Sequence, residues 1–183
     1  RPPRSTLFPY TTLFRSSSQD ENPKIDMLDE ILDEVDKDLK ITVWYHYKRS
    51  GDHILDYLNK NNIPYQFLPG GLSTDVLWKR LEEFKSKPEF RVIVLQDGVC
   101  SEGINLTESN VVVYYETTYS YDVRKQTEDR NHRIGQTNKV LYYDLIYKNT
   151  IEETIQEALS RKRNLASIIT GDNLKEIIYG FNN

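Results

Sequence analysis

The sequence predicts an α/β fold: a three-layer α/β/α sandwich around a mostly parallel sheet. Three observations predict it. From Asp20 onward, apolar residues alternate between the helical and the strand period, the pattern of strands joined by helices. The stretch Arg91 to Leu95 (RVIVL) is short and apolar throughout after its first residue, as befits a strand covered on both faces. At 183 residues the chain is long enough for one domain with a real core and too short for two ordinary ones.

The elements follow in order. Ile25, Leu28, Ile31, Leu32, Val35 and Leu39 recur at helical spacing, and Asp26, Asp29, Glu30, Asp33, Glu34 and Asp36 fill the opposite face. This is an opening amphipathic helix with a solvated acidic side. Ile41 to Tyr47 (ITVWYHY) is rich in β-branched and aromatic residues and predicts a strand, followed by a helix of about ten residues from Asp52. Pro64 to Leu68 reads as a second strand, Pro69-Gly70-Gly71 as a turn, and Ser73 as the cap of a helix through Phe84. The strand at Arg91 to Leu95 comes next, then Asn110 to Tyr115 (NVVVYY) after a polar loop. Tyr121 to His132 is a polar, helix-compatible stretch and Lys139 to Ile146 (KVLYYDLI) the last strand. Thr150 caps a final helix with Glu153 at the capping-box position, running to about Gly171. Residues 172–183 form a short tail, so the folded unit is expected over 20–171.

Residues 1–19 mix Pro, Ser and Thr with apolar residues of no regular period, so they are set outside the fold. Leu7 to Ser16 (LFPYTTLFRS) resembles the in-frame translation of a sequencing-adapter oligonucleotide; the alternative is a disordered tail. Without this leader the 24 basic residues fall to 21 against 28 acids, so the remainder is more acidic than the formal charge of −4 suggests. That excludes a uniformly basic nucleic-acid binder but leaves room for a local positive groove. No apolar run approaches the roughly 20 residues that cross a bilayer, so no membrane association is expected. Cys100 is the single cysteine and cannot form an internal disulfide, which makes an intracellular protein the expectation: cytoplasmic in a prokaryotic host, nuclear in a eukaryote.

Chemistry concentrates in two stretches. Gln126 to Gln136 (QTEDRNHRIGQ) has the form Q-x-x-x-R-x-x-R-x-G-Q, and its arginines Arg130 and Arg133 share one helix face. A permanently charged planar fork suits phosphate, because it donates two hydrogen bonds at once and stabilises charge on a transferring phosphoryl group. For an arbitrary R-x-x-R the bland reading is a surface helix paired with Glu128 and Asp129; the flanking Gln126, Gly135 and Gln136 favour the functional one. The second stretch, Ser101 to Thr107 (SEGINLT), follows a buried strand, where open parallel sheets place ligands. Gly103 permits close backbone approach there, while Ser101 and Asn105 offer hydrogen bonds to phosphate or ribose.

Together these residues resemble the helicase motifs of the chromatin-remodeller (sucrose-non-fermenting) type of superfamily 2. Gln126 to Gln136, with His132-Arg133-Ile134-Gly135-Gln136, is similar to the family's motif six. Ser101 to Leu106 is similar to motif five. Lys40 to Tyr47 lies where the family has motif four, and Gly71, Lys79, Arg80 and Phe84 resemble the segment after it. Asn22-Pro23-Lys24 and Thr150 to Glu153 also look like family features, so the resemblance covers roughly residues 22–169. It implies a RecA-like C-terminal helicase lobe in which Arg130 and Arg133 reach the ATP phosphates, Arg133 as an arginine finger. It further implies ATP-binding roles for Gln126, Gly103 and Glu102, and nucleic-acid contacts from Ser101, Asn105, His46 and Gly71. The cofactor would be ATP with Mg2+, the ion held mainly by an N-terminal RecA-like lobe, and the substrate DNA, duplex DNA in particular. Two departures stand out: Gln96-Asp97 where the family commonly has Ser-Thr, and Tyr119-Ser120-Tyr121 where it has W-N-P. Divergence of that kind would suit a phage or other mobile-element protein.

The chain contains no G-x-x-x-x-G-K-[ST] phosphate loop and no D-E-x-H or D-E-x-D pair after a strand. The chain alone is therefore expected to be inactive as an ATPase, with a partner lobe encoded upstream or on another chain. His46, His53 and His132 are too dispersed for a zinc site, and no metal is expected. Trp44 and Trp78 are read as packing, and Arg161-Lys162-Arg163 as a solvated face with DNA phosphate contact as its alternative. The competing functional class is a non-catalytic nucleic-acid-binding or regulatory module derived from such a lobe.

Overall fold

The computed structural model describes residues 10–15, 22–116, 118, 120–132 and 139–169. Its elements are β1 (Tyr10–Arg15), α1 (Pro23–Glu34), β2 (Lys40–Tyr45), α2 (Lys48–Lys60), β3 (Tyr65–Leu68), α3 (Thr74–Ser86) and β4 (Val92–Gln96), then a 3-10 helix (Asp97–Glu102), β5 (Ser109–Tyr114), α4 (Tyr121–Asn131), β6 (Leu141–Tyr147) and α5 (Ile151–Ile169). The strands form one all-parallel sheet in the order β1-β6-β5-β2-β4-β3. This is the predicted α/β/α sandwich.

Strand periodicity divides the core. Ile41, Val43, Tyr45, Val92, Val94, Val111 and Val113 face one way, onto Met27, Leu28, Ile31 and Leu32 of α1 and Ile54 and Leu58 of α2. Their neighbours Trp44, Ile93, Leu95, Val112 and Tyr114 face the other, with Leu77, Leu81 and Phe84 of α3 and Ile104 and Leu106. Both faces are covered, which is why these strands read as continuous apolar runs.

At the amino ends of the strands, cations close exposed carbonyls. The Arg91 guanidinium donates to the carbonyls of Leu32 (3.0 Å), Val35 (2.8 Å), Asp36 and Leu39 (both 3.2 Å), satisfying the end of α1. Lys40 does the same at the end of α3, donating to the carbonyls of Phe84, Lys87 (3.0 Å) and Phe90 (3.2 Å).

Several expectations change. Tyr10–Arg15 belongs to the leader set outside the fold, yet it pairs in parallel with Leu141–Tyr147 as the outermost strand. An edge strand presents unpaired backbone groups that an extended Thr- and aromatic-containing segment can satisfy whatever its origin. Helix α2 begins at Lys48 rather than Asp52, for a reason given below. Ser73 is the N-cap of α3 through its backbone, but its hydroxyl makes no capping bond. At α5 the capping box is offset: Thr150 accepts from the Glu152 amide (3.3 Å), and Glu153 reaches back to the Asn149 amide (3.1 Å). Trp78 is 45% exposed, whereas Trp44 is buried. The expected tail 172–183 lies outside the described residues.

Candidate functional site

The strand order reverses at β2. From it the chain builds β3 and β4 to one side and β5 and β6 to the other, so the loops leaving β2, β4 and β5 diverge over a crevice at their carboxyl ends. A cleft of about 250 Å³ lies there, lined by His46, Asp97, Gly98, Thr118, Ser120 and Val123. His46, predicted to contact nucleic acid, holds its Nδ1 at 2.7 Å from Asp97. Gln96 ties two of the loops together: its carbonyl accepts from the Gly70 amide (3.0 Å) and its amide donates to the His46 carbonyl (3.1 Å). The turn carrying Gly71, at φ +81°, is thereby brought beside His46.

The rim is negative. Glu116, at the end of β5, accepts from the backbone amides of His46 (2.9 Å) and Tyr47 (3.0 Å) and from the Ser50 hydroxyl (2.5 Å). A carboxylate at a helix N-terminus satisfies free amides and the helix dipole together, and this explains the early start of α2. Burial, with the nearby carboxylates of Asp52 and Asp97, pushes the Tyr45 phenol up to about 12.

The 3-10 helix after β4 ends at Gly103, whose φ of +68° is left-handed and whose Cα faces open space. The backbones of Ser101 and Glu102 form its last turn, but the side-chain roles predicted for them lie outside the described residues. Asn105 accepts from the Thr107 amide (3.2 Å), a local turn contact. From Leu106 this segment joins α4: the Leu106 amide donates to the Arg130 carbonyl (2.9 Å), and buried Asn131 donates to the Leu106 carbonyl (3.3 Å) and the Thr42 hydroxyl (3.0 Å). The two predicted motifs thus form one unit.

Along α4, Arg124, Thr127 and Asn131 face the interior; Gln126 is exposed and Arg130 partly so, four residues apart. Arg133, with Gly135 and Gln136, lies outside the described residues. The stretches Asn22-Pro23-Lys24 and Thr150 to Glu153 also meet: the Lys24 ammonium pairs with Glu152 at 2.5 Å and lies 4.8 Å from the centre of the Tyr147 ring. In the basic cluster on α5, Arg161 pairs with Glu157 (3.6 Å) and Arg163 with Glu128 (3.5 Å).

Sequence reasoning missed Arg124. It is buried, and its guanidinium meets both carboxylate oxygens of Asp144 on β6, one of them at 3.2 Å. Burial opposes its charge more than any other single effect, but Asp144, Tyr114 and Glu128 together hold its pKa well above the ordinary value. A cue was present in KVLYYDLI: an acid inside a strand covered on both faces requires a cation.

Among the described residues no group of three or more His, Cys, Asp and Glu side chains could hold a metal, and no helix is long and apolar enough to cross a membrane.

A family model described as the helicase conserved C-terminal domain matches residues 23–135. The chromatin-remodeling ATPase INO80 of Aspergillus niger is 31% identical over 153 residues, 82% of this chain and 9% of that protein. INO80 of Candida albicans is 27% identical over 171 residues, 91% of this chain and 12% of that protein. The chain thus spans about a tenth of the length of these curated relatives. The crystal structure of the C-terminal part of the Fun30 ATPase domain superposes with a TM-score of 0.70 at 26% identity, covering 73% of this chain and 44% of that one. Fungal relatives lend no support to a phage origin. With the family's domain matched over residues 23–135 on a RecA-like sandwich, the chain belongs to the helicase conserved C-terminal domain family and is a superfamily 2 C-terminal helicase lobe of the chromatin-remodeller type.

Proposed function

We propose that this lobe completes the ATPase site of a DNA translocase, supplying Arg130 and Arg133 to ATP held against an N-terminal RecA-like lobe. The observation that carries the reading is the bonding of Leu106 to Arg130 and Asn131, which joins the segment after β4 to the arginine helix. A lobe built this way can transmit a change at the nucleotide to a nucleic-acid contact. Arg130 and Arg133 would stabilise charge on the phosphoryl group, with Gln126, Gly103 and Glu102 beside the nucleotide. Ser101, Asn105, His46 and Gly71 would meet the nucleic acid, duplex DNA in particular. ATP would bring Mg2+, held mainly by the N-terminal lobe. Such work belongs in the nucleus of a eukaryotic cell or the cytoplasm of a prokaryotic one.

The acidic rim favours a second reading, a regulatory module without turnover: Asp97 and Glu116 stand where a phosphodiester would be repelled. The deciding experiment joins the upstream N-terminal lobe to this chain and compares ATP hydrolysis, with and without duplex DNA, in the joined protein and the chain alone. Hydrolysis in the joined protein only, stimulated by DNA, supports the translocase. No hydrolysis in the joined protein, with or without duplex DNA, supports the module.

A further inference from the structure

Arg124 occupies an expensive position. A fully buried ion pair forfeits hydration that apolar side chains of similar volume would not, so stability alone is a poor reason to build one. What the guanidinium adds is direction: a rigid fork whose partners specify both the rotation and the axial position of the helix that carries it. Those partners lie on β6, on β5 and on α4 itself. Asp144 on β6 takes the two terminal nitrogens, Glu128 one turn along α4 takes Nε (2.8 Å), and Cζ stands over the Tyr114 ring of β5, 3.4 Å from its centre. The Tyr114 hydroxyl in turn meets Thr127 (2.8 Å), and Gln156 of α5 donates to Asp144 (3.0 Å). Six residues on, Arg130 is tied to Leu106 through its backbone.

We propose that Arg124 is a positioning residue that sets the register of α4 so that Arg130 faces the nucleotide. The inference rests on the translocase reading above. A helix advances 1.5 Å and turns 100° per residue, so a small slip re-aims every side chain on it, and a misplacement near 1 Å can cost about a hundredfold in rate.

The test uses the joined two-lobe protein, assayed well below the melting temperature of each variant. Arg124→Lys keeps the charge and loses the fork; it should lower kcat for DNA-stimulated ATP hydrolysis about tenfold to a hundredfold and leave KM for ATP within about twofold. The exchanged pair Arg124→Asp with Asp144→Arg should recover part of that loss. Glu128→Gln, at the partly exposed end of the network, keeps the test available if the exchanged pair does not fold, and should lower kcat about threefold. If Arg124→Lys and Glu128→Gln lower only the melting temperature, with kcat per folded molecule unchanged, the residue is merely structural and the proposal is overturned. Arg133→Ala runs alongside. An active wild type silenced by Arg133→Ala but indifferent to Arg124→Lys sinks this inference alone, whereas an inactive wild type overturns it together with the reading beneath it.

Discussion

Replacing Glu116 with alanine should destabilise the lobe by about 2 kcal/mol. The carboxylate accepts two backbone amides and one hydroxyl at the start of α2. Bonds to a charged group contribute roughly 1.5–3 kcal/mol each where water is excluded, but this rim is partly exposed and water replaces much of the lost acceptor. The result should fall near the upper end of the roughly 0.5–2 kcal/mol measured for helix caps. Glutamine keeps one acceptor oxygen for the two amides, replaces the other with an NH2 that can donate to the Ser50 hydroxyl, and loses the charge facing the helix dipole, so it should cost no more than about 1 kcal/mol. Urea unfolding followed by circular dichroism reads both, with the slope against denaturant unchanged. An alanine variant within error of wild type, or a glutamine variant as damaging as alanine, would refute the reasoning.

Two further outcomes are expected. Because burial raises the Tyr45 phenol to about 12, the folded state holds that proton more tightly than the unfolded one; its stabilisation is whole below pH 10 and lost as pH rises from 10 to about 12. In thermal melts Tyr45→Phe should therefore flatten the alkaline fall of the melting temperature in that window, and an unaltered slope would contradict it. Asn131→Ala takes the donor from the buried Thr42 hydroxyl and one of two donors from the Leu106 carbonyl, which keeps the Ser109 amide (3.0 Å), so urea unfolding should show a loss of about 1–3 kcal/mol; a loss below about 0.5 would show that this side chain does not hold the two motifs together.

The elements that were legible in the sequence are those whose cause is local. RVIVL and NVVVYY read as buried strands because successive residues meet helix layers on opposite faces of the sheet, and the acids of α1 marked its outer face. What escaped notice depends on partners remote in sequence. Helix α2 starts where Glu116, some seventy residues on, supplies its cap, and the end of α1 is closed by Arg91. Neither leaves a periodic trace. The same holds at the site: Q-x-x-x-R was visible as a motif, but Arg124 looked like one more polar residue until β6 brought Asp144 against it. Tyr10–Arg15 marks the opposite limit, since an open sheet edge accepts a strand that no pattern announces.

The measurement that tests the central claim most directly is DNA-stimulated ATP hydrolysis by the joined two-lobe protein, compared with its Arg133→Ala variant at equal folded concentration. The account predicts substantial turnover that falls by roughly a thousandfold or more in the variant, as loss of an arginine finger does. Equal rates in the two proteins would contradict it.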